Sequence, residues 1–130
     1  PRTTLAGHVI FARTLDKCRS VIAGTAGEYH FDCPLDQLFL SFVGLTADAF
    51  KAKVATGATD EAMAAWVQDE GTAHGQEEIV AWNNDLRYKR INEMPIELQV
   101  FLEGYIPQNI PEGRVVNYWF DVYDIEEGRL

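Results

Sequence analysis

The densest set of reactive side chains in the sequence lies between Glu28 and Asp36, where Glu28, Tyr29, His30, Asp32, Cys33 and Asp36 follow one another closely. Tyr29 offers both a donor and an acceptor, and His30 can exchange a proton near neutral pH. Cys33, beside a predicted helix N-terminus, is the type of thiol that serves as a nucleophile. Upstream, Arg13 and Lys17 stand four apart, with Asp16 beside them. Like charges at that spacing repel by a few tenths of a kcal/mol on a bare helix, so the two cations call for negative company. A carboxylate of the chain or an anionic ligand could supply it. In the functional reading, the 24–36 loop closes over the Arg13 and Lys17 face. His30, Cys33 and Lys17 then do the chemistry, and Arg13, Asp16, Glu28, Tyr29 and Asp36 hold the ligand. In the architectural reading, Tyr29 plugs the core, Asp36 pairs with Arg13 or Lys17, and Cys33 merely caps a helix. No spacing here is diagnostic enough to choose.

Other chemistries are less well supported. His30 and Cys33, with His8 or His74, could ligate zinc, but only one loose pair is present where structural sites use two, and no metal or other cofactor is expected. Gly24, Thr25 and Gly27 look like half of a phosphate loop without the preceding strand or the Gly-Lys-Ser ending. Ser20 and Ser41 have no nucleophile-elbow setting. Asn83 and Asn84, directly after Trp82, are unusual inside a helix, and Asn83 is a candidate hydrogen-bonder in a pocket. Trp66, Trp82, Trp119, Tyr118, Phe120 and Tyr123 could line such a pocket, though aromatics at helical spacing are more often core.

The elements that must position these groups are all predicted to be helices. Phe11, Leu15, Cys18 and Ile22 share one face of a helix running from about Thr4 to Ala23, with Gly24 as its stop. Pro34 suits a first helical position, with Cys33 or Asp32 near the cap and Leu35, Leu38, Phe39 and Phe42 on the apolar face as far as Gly44. Thr46 and Thr59 cap two short helices, closed by Gly57 and Gly71. Ile79, Trp82 and Leu86 mark a helix within 75–91 whose acidic start and basic end suit the dipole. A further helix starts near Pro95 and should end before Pro107. Residues 115–125 fit strand or helix; a lone strand would lack a partner, so helix is the choice. The fold class is thus all-α, a single-domain bundle of about five to six short helices spanning 1–130.

Composition agrees with one small domain. At 130 residues, 47% apolar and 24% charged, the chain should bury about two thirds of its unfolded surface. No run approaches the roughly 18 apolar residues of a membrane span. The opening Pro-Arg-Thr-Thr does not lead into an apolar stretch, so a cytoplasmic location with both cysteines reduced is expected. A net charge of −9 argues against nucleic acid, whose phosphates are held by clustered Lys and Arg. Because the basic residues Arg2, Arg13, Lys17 and Arg19 gather near the start, a small anion there remains the expected partner.

Four strings carry a family resemblance: Ala-Arg-Thr-Leu-Asp-Lys-Cys-Arg-Ser (12–20), Gly-Thr-Ala-Gly-Glu-Tyr-His-Phe-Asp-Cys-Pro-Leu-Asp (24–36), Phe-Val-Gly-Leu (42–45) and Thr-Asp-Glu (59–61). They resemble the bacterial domain-of-unknown-function family 5069 over roughly residues 5 to 85. The resemblance implies a small helical protein and brings no activity with it. Two functions are therefore expected as alternatives. One is an enzyme or binding protein holding an anionic small molecule between the first helix and the 24–36 loop. The other is an interaction module that docks a partner or a second copy through its acidic surface and final aromatic segment.

Overall fold

A computed structural model describes residues 2–25, 31–110 and 116–126. The chain is all-α. Among the described residues it forms seven α-helices and one 3-10 turn, with two isolated β-bridges and no sheet. That is one helix more than expected. The residues divide into two units, 1–80 and 81–130.

In the first unit, the start of helix α1 (Phe11–Ala23) is set by a tight turn ahead of it. Leu5 and His8 exchange backbone hydrogen bonds at 3.1 and 3.0 Å across Ala6 and Gly7, both at positive φ. Ile10, also at positive φ (73°), then precedes the helix. The helix expected from Thr4 therefore begins seven residues later, because the Ala-Gly pair serves a hairpin-like turn and a β-branched residue is held in a rarely occupied conformation. At the other end Gly24 caps α1 in the left-handed region, as expected. Ile22 is 42% exposed rather than core, because the last turn of α1 projects beyond the packed face along with Ala23 and Gly24.

Helix α2 (Pro34–Val43) starts with proline and ends at Gly44, and α3 (Ala47–Val54) and α4 (Asp60–Glu70) start at the predicted caps. The Thr46 hydroxyl accepts from Ala49 N, and that of Thr59 from Ala62 N, both at 3.1 Å. Each thereby satisfies an amide that the helix itself leaves unbonded. The helices meet through aromatic rings. Phe11 of α1 stacks on Phe39 of α2 at 4.5 Å, and Phe50 of α3 meets them edge-on at 6.1 and 6.4 Å. Trp66 of α4 reaches Phe50 at 6.4 Å. Phe11, Phe39 and Phe50 are fully buried, and removing any one of them should cost about 3–5 kcal/mol.

The end of α2 and the residues after α4 come unusually close. Thr72 N donates to Val43 O at 2.7 Å. A Cβ on Gly71 would lie 2.5 Å from Val67 O and 2.8 Å from Val43 O, and one on Gly44 would lie 2.5 Å from Thr72 Oγ1. Gly71 demands glycine on contact grounds, because both close atoms are backbone carbonyls, whereas at Gly44 the left-handed backbone (φ 71°) is the stronger reason, since the Thr72 hydroxyl can turn away.

Helix α5 (Gln76–Arg87) crosses the division between the units. In the second unit it leads to a 3-10 turn, Ile91–Glu93, then α6 (Ile96–Asn109) and α7 (Trp119–Glu126). The excursion through α6 is closed at its base, where Ile91 N donates to Asn117 O at 3.0 Å and Trp119 N to Lys89 O at 2.8 Å. Arg90 lies over the Tyr118 ring at 5.2 Å. The final aromatic segment is helical only from Trp119; Tyr118 ahead of it pairs with Arg90 in an isolated β-bridge, and Trp119, Phe120, Val122 and Tyr123 are buried. Pro107 does not stop α6 but sits inside it. In the last turn a proline deletes one intrahelical hydrogen bond, and the helix runs on to Asn109 before Ile110 N bonds to Ile106 O.

Candidate functional site

Three of the predicted site residues do come together. Asp36 is the third residue of α2, and its side chain turns back to the helix start, accepting from Cys33 N at 3.2 Å and Asp32 N at 3.0 Å. This is the capping-box arrangement, with Cys33 as the N-cap. From α1, Thr14 Oγ1 donates to Asp36 Oδ1 at 2.6 Å, and Lys17 Nζ donates to Asp36 Oδ2 at 2.9 Å. Asp36 is 0% exposed, and the Lys17 side chain only 7%. A buried carboxylate is tolerable here because the ammonium, two amides and a hydroxyl all point at it. Lys17 Nζ also lies 3.1 Å from Cys33 Sγ. The arrangement ties α1 to α2 and leaves the Lys17 charge balanced by the protein itself.

The other predicted residues are placed differently. Arg13 is half-buried on α1 and Asp16 is exposed. Asn83 is buried on the part of α5 that belongs to the second unit, whereas Asn84 is exposed and accepts from Arg87 at 3.2 Å. Glu28, Tyr29 and His30 lie outside the described residues, so the loop proposed to close over α1 is not placed. Cys18 is a buried core residue whose thiol is pushed up to about 11, first by burial. Among the described residues no group of three or more His, Cys, Asp or Glu is arranged to hold a metal.

Sequence reasoning passed over a second assembly in the first unit. A cavity of about 250 Å³ sits where the end of α2, the end of α4 and the start of α5 face the turn before α1. Val43, Val67 and Ile79 give it apolar walls, while Gln68, Thr72, His8 and His74 supply polar groups. Gly71 and Gly44 allow this chamber to form, since the close approach around Thr72 sets one of its sides.

The two histidines of the cavity are in opposite electrostatic states. His8 is 5% exposed and packs edge-on against Phe39 and Phe42 at 5.7 and 5.9 Å. Burial holds its pKa below the ordinary 6.5, and the nearby His74 adds to that shift. His74 stacks flat on the other ring contact, Phe42, at 3.9 Å. Its Nδ1 lies 3.0 Å from Glu78 Oε2, and its Nε2 lies 2.6 Å from Phe42 O. An ionised carboxylate and a peptide carbonyl can only accept, so this geometry calls for a hydrogen on each ring nitrogen. His74 is thereby favoured as an imidazolium, and the Glu78 hydrogen bond is the largest cause of its raised pKa. Glu78 is lowered in turn by the same bond. The Phe42 carbonyl is one of the last of α2, so the His74 charge also sits at the negative end of that helix.

Sequence offered only faint signals for these groups. Thr14 is one turn before Lys17, and His74 precedes Glu78 by four residues at the start of an acidic helix. His8 falls inside the stretch that the apolar spacing assigns to the first helix, so its place behind a turn and its burial are not legible in the sequence.

Comparison with curated proteins finds no match. A family model described as domain of unknown function (DUF5069) matches residues 1–129, far more of the chain than the stretch that carries the motifs. With that span covered, the chain belongs to the DUF5069 family.

Proposed function

We propose that this protein binds a small, uncharged organic molecule in the cavity between His8 and His74. The single observation that carries the reading is the chamber itself, with its mixed apolar walls and convergent polar groups. An engineered apolar cavity of about 150 Å³ already accepts benzene, so about 250 Å³ suits a guest of one substituted ring. Gln68 and Thr72 provide an amide and a hydroxyl to orient it.

The charge balance favours a neutral guest over the anion expected from Arg13 and Lys17. Lys17 is matched by Asp36. Both N–H groups of His74 are committed to Glu78 and Phe42, and His8 is driven toward its neutral form. An anion entering the cavity would lose its water without meeting an uncommitted cation there, which is costly. The interaction alternative draws less support from the final aromatic segment, where Trp119, Phe120 and Tyr123 are buried and Tyr118 is half-buried. A cytoplasmic setting belongs to the same proposal and is supported by two free thiols, Cys18 and Cys33, which a reducing compartment preserves. No helix among the described residues is long and apolar enough to cross a membrane.

The test uses benzamide, indole and cyclohexanol as probes, followed by amide chemical shifts of the labelled protein. Saturable shifts at Thr72, Ala73 and His74 are expected with at least one probe. They should disappear in Ala73→Trp, which fills the chamber from an exposed position on its rim. Shifts spread evenly over the surface, or unchanged in the filled variant, would dispose of the reading.

A further inference from the structure

The contact between Lys17 Nζ and Cys33 Sγ, 3.1 Å across the junction of α1 and α2, plays no part in the proposed binding. It places two nucleophilic atoms of different elements within reach of forming a bond. Lys17 is held there by Asp36, and its side chain has almost no contact with solvent. Cys33, unlike Lys17, is only half-buried.

We propose that Lys17 and Cys33 form an oxidation-dependent cross-linking site whose oxidant is a peroxide. In the first step hydrogen peroxide transfers an oxygen to the Cys33 thiol. Sulfur is oxidised by two electrons to the sulfenic acid, and the peroxide is reduced to one water. In the second step the Lys17 ammonium passes a proton to the Asp36 carboxylate, 2.9 Å away, and the freed amine attacks the sulfenic sulfur. A sulfur–nitrogen bond forms, the sulfur–oxygen bond breaks, and the hydroxyl leaves as a second water with one of the two amine hydrogens, the other staying on the nitrogen. The product is a sulfenamide between the two side chains, with Asp36 protonated in place of the ion pair. Two equivalents of a thiol reverse it, returning thiol and amine and leaving a disulfide of the reductant.

This chemistry depends on the native juxtaposition, which separates it from the general oxidation of a thiol. A free sulfenic acid progresses to sulfinic acid under excess peroxide, whereas one captured by an amine is protected. The Asp36 carboxylate is the essential third group, because an ammonium has no lone pair with which to attack.

The experiment treats the folded full chain carrying Cys18→Ser with a few equivalents of hydrogen peroxide. That substitution removes the only other thiol and with it any disulfide of the same mass. The expected product is lighter by about 2 Da, trypsin no longer cleaves after Lys17, and a peptide joining the Lys17 and Cys33 regions appears. Dithiothreitol should restore mass and cleavage. The same treatment in denaturant should give no cross-link, and in folded Lys17→Arg the Cys33 sulfenic acid should instead be captured by dimedone. A gain in mass on the folded Cys18→Ser protein, with cleavage after Lys17 intact, overturns the proposal whether or not Lys17→Arg folds.

Discussion

At the scale of single residues, the two histidines give the stability of the protein a defined pH dependence. The His8 pKa lies below 6.5 in the fold, so the stability associated with its neutral form is lost as pH falls beneath that value. His74 has the opposite sign. Its contribution is complete below 6.5 and disappears as pH rises through its raised folded value. Glu78 adds a contribution present above 4.5 that is lost as acid takes pH through its lowered value. Thermal melts between about pH 5 and pH 9 should therefore show a flatter alkaline limb in His74→Gln and a flatter limb just below pH 6.5 in His8→Asn. Superimposable alkaline limbs for the native and His74→Gln proteins would mean that the ring is not held as an imidazolium.

The Lys17–Asp36 pair makes a second prediction at this scale. Replacing Lys17 by Met leaves a fully buried carboxylate facing only neutral donors, and should cost about 3–5 kcal/mol in denaturant melts. The double variant Lys17→Met, Asp36→Leu should recover a large part of that loss, because the desolvation of both charges is removed together. If the double variant is no more stable than the single one, the pair is not the seat of the cost. Sequence showed that Arg13 and Lys17 needed a partner, and included Asp36 among those available. It did not show that Lys17 would be taken inward, because a lysine four residues from an arginine reads as a solvated face until Thr14 and Asp36 are seen to bury it.

At the scale of elements, the helix ends were the most legible part of the chain. Thr46, Thr59, Gly24, Gly44 and the Cys33–Asp36 box all serve as caps, because capping depends on local chemistry that short sequence windows contain. Thr46→Ala and Thr59→Ala should each lower stability by about 1 kcal/mol, and the losses should add, since each cap serves its own helix. Gly71→Ala should cost more than either, as its methyl group would run into two backbone carbonyls. Urea melts of these three variants and of the Thr46→Ala, Thr59→Ala double give the comparison, and an equal effect at Gly71 would contradict the close approach of α2 and α4. The errors at this scale have local causes of another kind. The apolar spacing runs through Gly7 although the Ala-Gly pair forms a turn, and Pro107 has the chemistry of a stop although the last helical turn tolerates it. The cavity was illegible because its lining comes from the 6–8 turn, α2, α4 and α5, segments that no periodicity links.

At the scale of the whole molecule, the all-α class followed from repeated apolar spacing and from the absence of any second strand for 115–125 to join. The distribution of charge has a consequence of its own. A net charge of −9 arises from 20 acidic residues against 11 basic ones, and such an excess works against any compact state. Raising ionic strength from about 10 mM to 150 mM shortens the Debye length from roughly 30 to 8 Å and should raise the melting temperature measurably at neutral pH. The buried Lys17–Asp36 pair is little screened and should not reverse the trend. A fall in melting temperature over that range would show that exposed ion pairs such as Arg19–Asp60 outweigh the net repulsion.

The position of His74 between a carboxylate and a carbonyl also determines how the protein meets electrophiles. An imidazole that carries hydrogen on both nitrogens has no lone pair to lend, so diethyl pyrocarbonate should pass it by at mildly acidic pH. Carbethoxylation at His74 should begin only as alkali strips one of those hydrogens, which makes the onset of labelling a direct chemical record of when the clasp between α2 and α5 lets go.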